Sequence, residues 1–165
     1  MTKKFVAFGA LFLIATGCDL PDRVGKLEKQ TSELRAEVEK NRAAVELDSQ
    51  AKCSKDSRAW FNDNWARDKD TILLDFSNHY NKSQNKCFIY VVFHYTYAPG
   101  GSWTNSRGLW NVYENTRYAE FGENHLVETK PTYQVEDHVF NCEVSGKKCK
   151  NLQEFNELLR PYLTD

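Results

Sequence analysis

The chain has 165 residues, with 22 Lys and Arg against 23 Asp and Glu and a formal net charge of -1 at pH 7. That balance provides no basic field, which argues against nucleic acid and anionic lipid headgroups as partners. Beyond residue 18 no apolar run is long enough to cross a bilayer as a helix.

The N-terminus reads MTKK and continues FVAFGALFLIA, a basic start followed by an apolar segment. At about a dozen residues the segment has the length of a secretory h-region and is too short for a mature membrane helix. Lys3 and Lys4 favour the cytoplasmic side during insertion. The small residues Ala15, Thr16 and Gly17 then lead into Cys18 and Asp19. This stretch resembles a bacterial lipoprotein signal with its lipobox. The resemblance implies cleavage after residue 17 and lipidation of Cys18 as the new N-terminus. Each buried methylene of the acyl chains contributes about 0.8 kcal/mol, so several chains hold a protein on a membrane without a spanning helix. By the same resemblance Asp19 points to the periplasmic face of the inner membrane, with the outer membrane as the alternative. No cofactor is implied beyond this covalent lipid. Loss of residues 1–17 removes Lys3 and Lys4 and brings the formal charge from -1 to -3.

A short linker, 18–21, precedes residues 22–50, which hold no aromatic residue, no proline and one glycine, and are rich in Glu, Lys, Arg and Ala. Their composition predicts a helix. With Val24 at position a, a 3-4 seam runs through Leu27, Thr31, Leu34, Val38, Asn41 and Val45, about the minimum length for a coiled coil. Glu37 then falls at g and Arg42 at the following e, which face one another in a parallel pair. Self-association through 22–50 is one expectation; a single amphipathic helix or partly helical spacer is the other. Fully helical, the segment would reach about 40 Å.

From residue 51 onward aromatic residues become frequent, and 51–165 reads as a head large enough to bury a core. Cys53, Ser57, Trp60, Phe61 and Trp65 share one face at helical spacing, as a core-facing helix does. TILLDFSNHY and CFIYVVFHYTY flank the polar NKSQNK and predict a hairpin. Phe88, Tyr90 and Val92 would face one side and Ile89, Val91 and Phe93 the other, the pattern of a strand covered on both faces. Next come a loop from Ala98 to Gly108, the strand LWNVY, a turn at ENTR and the strand YAEF, with no clear pattern around Lys130-Pro131. NLQEFNELLRPYL closes the chain as a helix with Leu152, Phe155, Leu158 and Leu159 as its apolar stripe, capped by Asn151 and stopping near Pro161. Helix, four or five strands and helix make an α+β head with an antiparallel sheet.

Cys53, Cys87, Cys142 and Cys149 are an even set in a chain that reads as exported, and two disulfides are expected. No CxxC or HxxxH pair is present, so no metal site is expected. Four cysteines allow three connectivities. A two-residue turn at Ser145-Gly146 would set Cys142 opposite Cys149, which makes that pair the preferred one and leaves Cys53 with Cys87.

The loop offers the candidate binding residues Trp103, Thr104, Asn105 and Arg107, an aromatic among hydrogen-bonding neighbours. The alternative is that Trp103 folds back to cap the sheet. The histidines His79, His94, His125 and His138 fall on separate predicted elements and read as ordinary strand residues. No GxSxG elbow or phosphate loop is present, and in an exported chain no nucleophilic cysteine is expected to stay reduced. HYNKSQNKCF and VYENTRYAEF, followed by a cysteine pair and a terminal helix, are similar to exported bacterial domains of no assigned function. That resemblance implies a disulfide-bonded exported head and carries over no functional residue. The expectation is therefore a membrane-anchored envelope lipoprotein without enzymatic activity. Its head would bind an envelope protein or a cell-wall glycan; a structural, oligomeric role is the first alternative and an enzyme with an unrecognised site the second.

Overall fold

The structure, a computed structural model, describes residues 20–96, 101–128 and 134–164. Cys18 and Asp19, the proposed anchor, lie outside the described residues, as does the Lys130-Pro131 segment. The elements run α1 (Leu20–Asn64), β1 (Thr71–Asn81), β2 (Lys86–Thr96), β3 (Trp103–Asn111), β4 (Thr116–Glu128), β5 (Gln134–Val144), β6 (Lys147–Lys148) and α2 (Leu152–Leu163). The architecture is α+β, with one six-stranded sheet.

The predicted stalk and the first head helix are one continuous helix of 45 residues. Pro21 sits in its first turn, where a missing N–H costs nothing, and the rest of the segment lacks helix breakers apart from Gly25. The chain divides into two compact units, residues 1–44 and 45–165, so the head takes in the last part of α1 from Val45. In the first unit Asp22–Lys26 (3.1 Å) and Lys29–Glu33 (3.9 Å) are ion-paired one turn apart. The seam residues Leu27, Leu34 and Val38 are each more than 60% exposed.

In the second unit the sheet is an antiparallel meander in sequence order, β1 to β6. β2 is apolar on both faces, as its alternation predicts. Cys87, Ile89 and Val91 meet Cys53, Leu74 and the aromatic side of α1, with Trp60, Phe61, Trp65 and Trp110 around them. Phe88 instead joins Leu109, Phe121, Phe155 and Leu159 beneath α2. Burying each such side chain contributes about 1.5–3 kcal/mol, so the two layers dominate the stability of the head.

Six strands replace the expected four or five, because the two residues Lys147 and Lys148 pair with the end of β5 as a short strand of their own; β4 and β5 also extend through stretches without apolar alternation. The β3–β4 turn occupies residues 112–115 and not ENTR, a displacement of two residues. The helix also passes Pro161 and ends at Leu163, with Thr164 N–H capping the Arg160 carbonyl. Asn151 caps its start as expected, accepting from Glu154 N–H at 2.9 Å.

Two hairpins use the same device. Asn81 in NKSQN and Asn111 in NVYEN are buried, and their side-chain oxygens accept from the backbone three residues on, at Gln84 (2.9 Å) and Glu114 (3.4 Å). Each turn then ends in an asparagine at positive φ, Asn85 and Asn115, a conformation asparagine tolerates better than most residues. Asn81 also donates to the carbonyls of Pro161 (3.0 Å) and Thr164 (3.2 Å), tying the end of β1 to the end of α2.

Both disulfides take the preferred pairing. Cys53 and Cys87 join α1 to β2 with 5.4 Å between Cα atoms, and Cys142 and Cys149 join across the last hairpin at 5.0 Å. Val144 faces Lys147 and Glu143 faces Lys148, with Ser145 and Gly146 both at positive φ in the turn.

These arrangements make two predictions. The Cys53–Cys87 bridge closes a separation of 34 residues and Cys142–Cys149 one of 7. The chain-entropy model then gives losses of about 4 and about 2.5 kcal/mol on removal. Urea unfolding of the two double serine variants should rank them in that order, and the reverse order would show that native-state packing decides instead. A Cβ at Gly108 would overlap the Trp110 indole, which Trp60 and Trp65 hold in place at 5.6 and 5.8 Å between ring centroids. Gly108→Ala should cost about 1–3 kcal/mol. The same change at Gly122 meets only Phe140, which is half exposed and free to swing, so Gly122→Ala should stay within about 0.5 kcal/mol of wild type.

Candidate functional site

The segment expected to be a binding loop is mostly strand. Trp103, Thr104, Asn105 and Arg107 all lie in β3, paired with β2 on one side and β4 on the other. Residues 98–100 lie outside the described residues, and the described part before the strand is Gly101, at positive φ, and Ser102. The Ser102 hydroxyl accepts from Val127 N–H at 3.0 Å and so fastens this entry to β4.

Strand alternation separates the four candidates. Trp103, Asn105 and Arg107 share the face of Leu109, which packs beneath α2. Thr104 points the other way, is buried, and donates to Asn124 Oδ1 at 2.7 Å. It therefore serves as a strand-to-strand tie and leaves the candidate surface.

Cross-strand register then adds residues that the sequence kept apart. His94, Asn105 and Glu123 form one row, and Thr96, Trp103 and His125 form the next row on the same face. Trp103 lies between two imidazoles: the His125 ring is stacked on it at 5.0 Å with 3° between planes, and His94 is tilted beside it at 5.4 Å. Asn105 links its neighbours, its Oδ1 bonded to His94 Nδ1 and its Nδ2 donating to Glu123 Oε1 at 3.1 Å. His94, Trp103, Asn105, Glu123 and His125 are all half-buried. His79 and His138 remain apart from this group, on β1 and β5.

The core beneath α2 does not include these two rows. They form a polar and aromatic extension of that core, with Arg107 at the border between Val92 and Phe121. Such a surface can supply hydrogen bonds from imidazole, amide and carboxylate groups beside an indole edge, the mixture that protein and sugar surfaces both use.

A second concavity, a polar cleft of about 270 Å³, is lined by Arg117, Glu120, Asn141, Glu143, Ser145 and Lys148. Its charges are already spent on one another. Arg117 Nη1 pairs with Glu120 Oε2 at 2.8 Å, and Asn141 donates to the same oxygen. Lys148 donates to Glu143 and holds its carboxyl below the usual carboxylate range. This network is a sheet-edge support. Among the described residues no three His, Cys, Asp or Glu side chains gather closely enough to hold a metal ion.

No family model, curated protein or solved structure matches this chain.

Proposed function

We propose that this chain is a lipid-anchored bacterial envelope protein whose head binds another envelope component, without catalysing a reaction. In this reading Cys18 carries the lipid, Asp19 favours the periplasmic face of the inner membrane, and the exposed part of α1 is the spacer. The face of β2, β3 and β4 that carries His94, Trp103, Asn105 and His125 is the contact surface. The observation that carries the proposal is that this half-buried aromatic and polar patch continues a sheet face whose other part is sealed by α2. Aromatic side chains among hydrogen-bonding groups on a rigid scaffold suit recognition of a protein or a cell-wall glycan.

The test is crosslinking in cells of the full-length protein carrying a benzophenone amino acid in place of His125. The same probe in place of the exposed Glu157 of α2 serves as control. An adduct that forms at 125 and not at 157 is the expected result. Equal adducts at both positions, or none at 125 in a protein that folds, would remove this face as a contact surface.

A structural reading is favoured by the exposed seam of α1. In a parallel, in-register pair Glu37 meets Arg42 of the other copy, and Arg23 meets Glu28 in the same g-to-e relation, so both charge pairs are opposite in sign. Asn41 would meet its own counterpart and hold the register. Two heads on one coil would also bind a repetitive ligand more tightly than either alone. Sedimentation equilibrium should give the mass of two chains for residues 18–165 and of one chain when 20–44 are deleted. An unchanged mass would sink the coil.

A further inference from the structure

We infer that Arg107 anchors an oxyanion subsite, where a carboxylate or phosphate group of the head's ligand is held. The inference rests on the reading of this face as a contact surface. Arg107 lies in the middle of β3, between Val92 of β2 and Phe121 of β4, and is half-buried. Its Nε is buried and has no hydrogen-bond partner. Among the described residues its guanidinium makes no hydrogen bond and no ion pair.

A partly desolvated cation with no counter-charge destabilises a fold, because water lost from the guanidinium is not replaced. An apolar side chain of similar length at the same position would pack against the α2 core without that cost. The geometry points to a role outside folding. Guanidinium is the group whose planar fork fits carboxylate and phosphate oxygens two at a time.

The surroundings leave the fork available. The carboxylate one row away, Glu123, accepts from Asn105 at 3.1 Å and makes no ion pair with Arg107. Its negative charge on the same face disfavours a densely charged polyanion, so the ligand carries an isolated oxyanion beside neutral polar groups. Those neutral groups would meet the row of His94, Asn105 and Glu123, with the Trp103 indole beyond it.

The test uses the full head with its stalk, the Arg107 Nε–Hε resonance as reporter, and acetate and inorganic phosphate as probes. Sodium chloride controls for ionic strength. The expected result is a saturable shift of that resonance by acetate or phosphate and none by chloride, and the probe that saturates at lower concentration identifies the oxyanion class. Read in the variants from the backbone amide resonances of the paired Val92 and Phe121, binding should fall about tenfold or more in Arg107→Lys, which keeps the charge and loses the fork, and vanish in Arg107→Met. Arg107→Met should unfold at or above the wild-type temperature. A melting temperature several degrees lower, a failure of that variant to fold, or no saturable shift with either probe would overturn the inference. Crosslinking at position 125 that persists in Arg107→Met would leave the contact surface standing without the subsite, whereas loss of crosslinking in the wild type would remove the surface itself.

Discussion

A strand that is apolar on both faces has to be covered twice, and β2 imposes that demand on the head. The two covers come from opposite ends of the head: the last turns of α1 lie over Cys87, Ile89 and Val91, and α2 lies over Phe88. The Cys53–Cys87 bridge secures the first cover, and Asn81 secures the second by donating to the last carbonyls of α2. Both fastenings lie close to the β1–β2 turn, at Cys87 and Asn81.

The two covers are unequal to the sheet they protect. α2 has 12 residues and spans about 18 Å, while β2 has 11 and spans about 37 Å, so one helix cannot seal the face along the strand. The remainder is where His94, Trp103, Asn105, Glu123 and His125 come together. Its polarity follows from its position: side chains there meet solvent on one side and the edge of an apolar layer on the other. Arg107 occupies the border, paired in register with Val92 and Phe121, and its buried Nε has no hydrogen-bond partner among the described residues. The polar cleft near Ser145 differs in kind, because its cations and anions neutralise one another across β4, β5 and β6.

Those parts of the fold that depend on burial were legible in the residues. The stripe of Cys53, Ser57, Trp60 and Phe61 marked the face of α1 that is covered, and Leu152, Phe155, Leu158 and Leu159 did the same for α2. The β1–β2 hairpin was readable because both of its strands carry apolar runs. The strand from Trp103 to Gly108 was not, since Thr104, Asn105, Ser106 and Arg107 carry no apolar alternation. Asn105 and Arg107 are polar because their half of the face is not covered by α2, while Thr104 on the other face is buried but held by its hydrogen bond to Asn124, so neither face leaves an apolar repeat to read. The β3–β4 turn was misplaced for a different reason: Val112 is a turn residue and yet buried in the α1 layer. The repeated spacing of Asn81 with Asn85 and Asn111 with Asn115 was a signal that could have located it.

Residue pattern alone determined the helical segments, the first and last hairpins, the preference for pairing Cys142 with Cys149 across the last turn, and the expectation of a lipid anchor. Each depends on side chains close together along the chain, where periodicity and turn chemistry act directly. Only the tertiary structure decided that α1 is unbroken, that Thr104 faces away from its neighbours, and that His94, Trp103 and His125 stand side by side. Lateral register across three strands is set by both layers of the core at once, and no local stretch of sequence carries that information. The isolation of the Arg107 charge belongs with these decisions, since whether a cation has a partner depends on everything that folds around it.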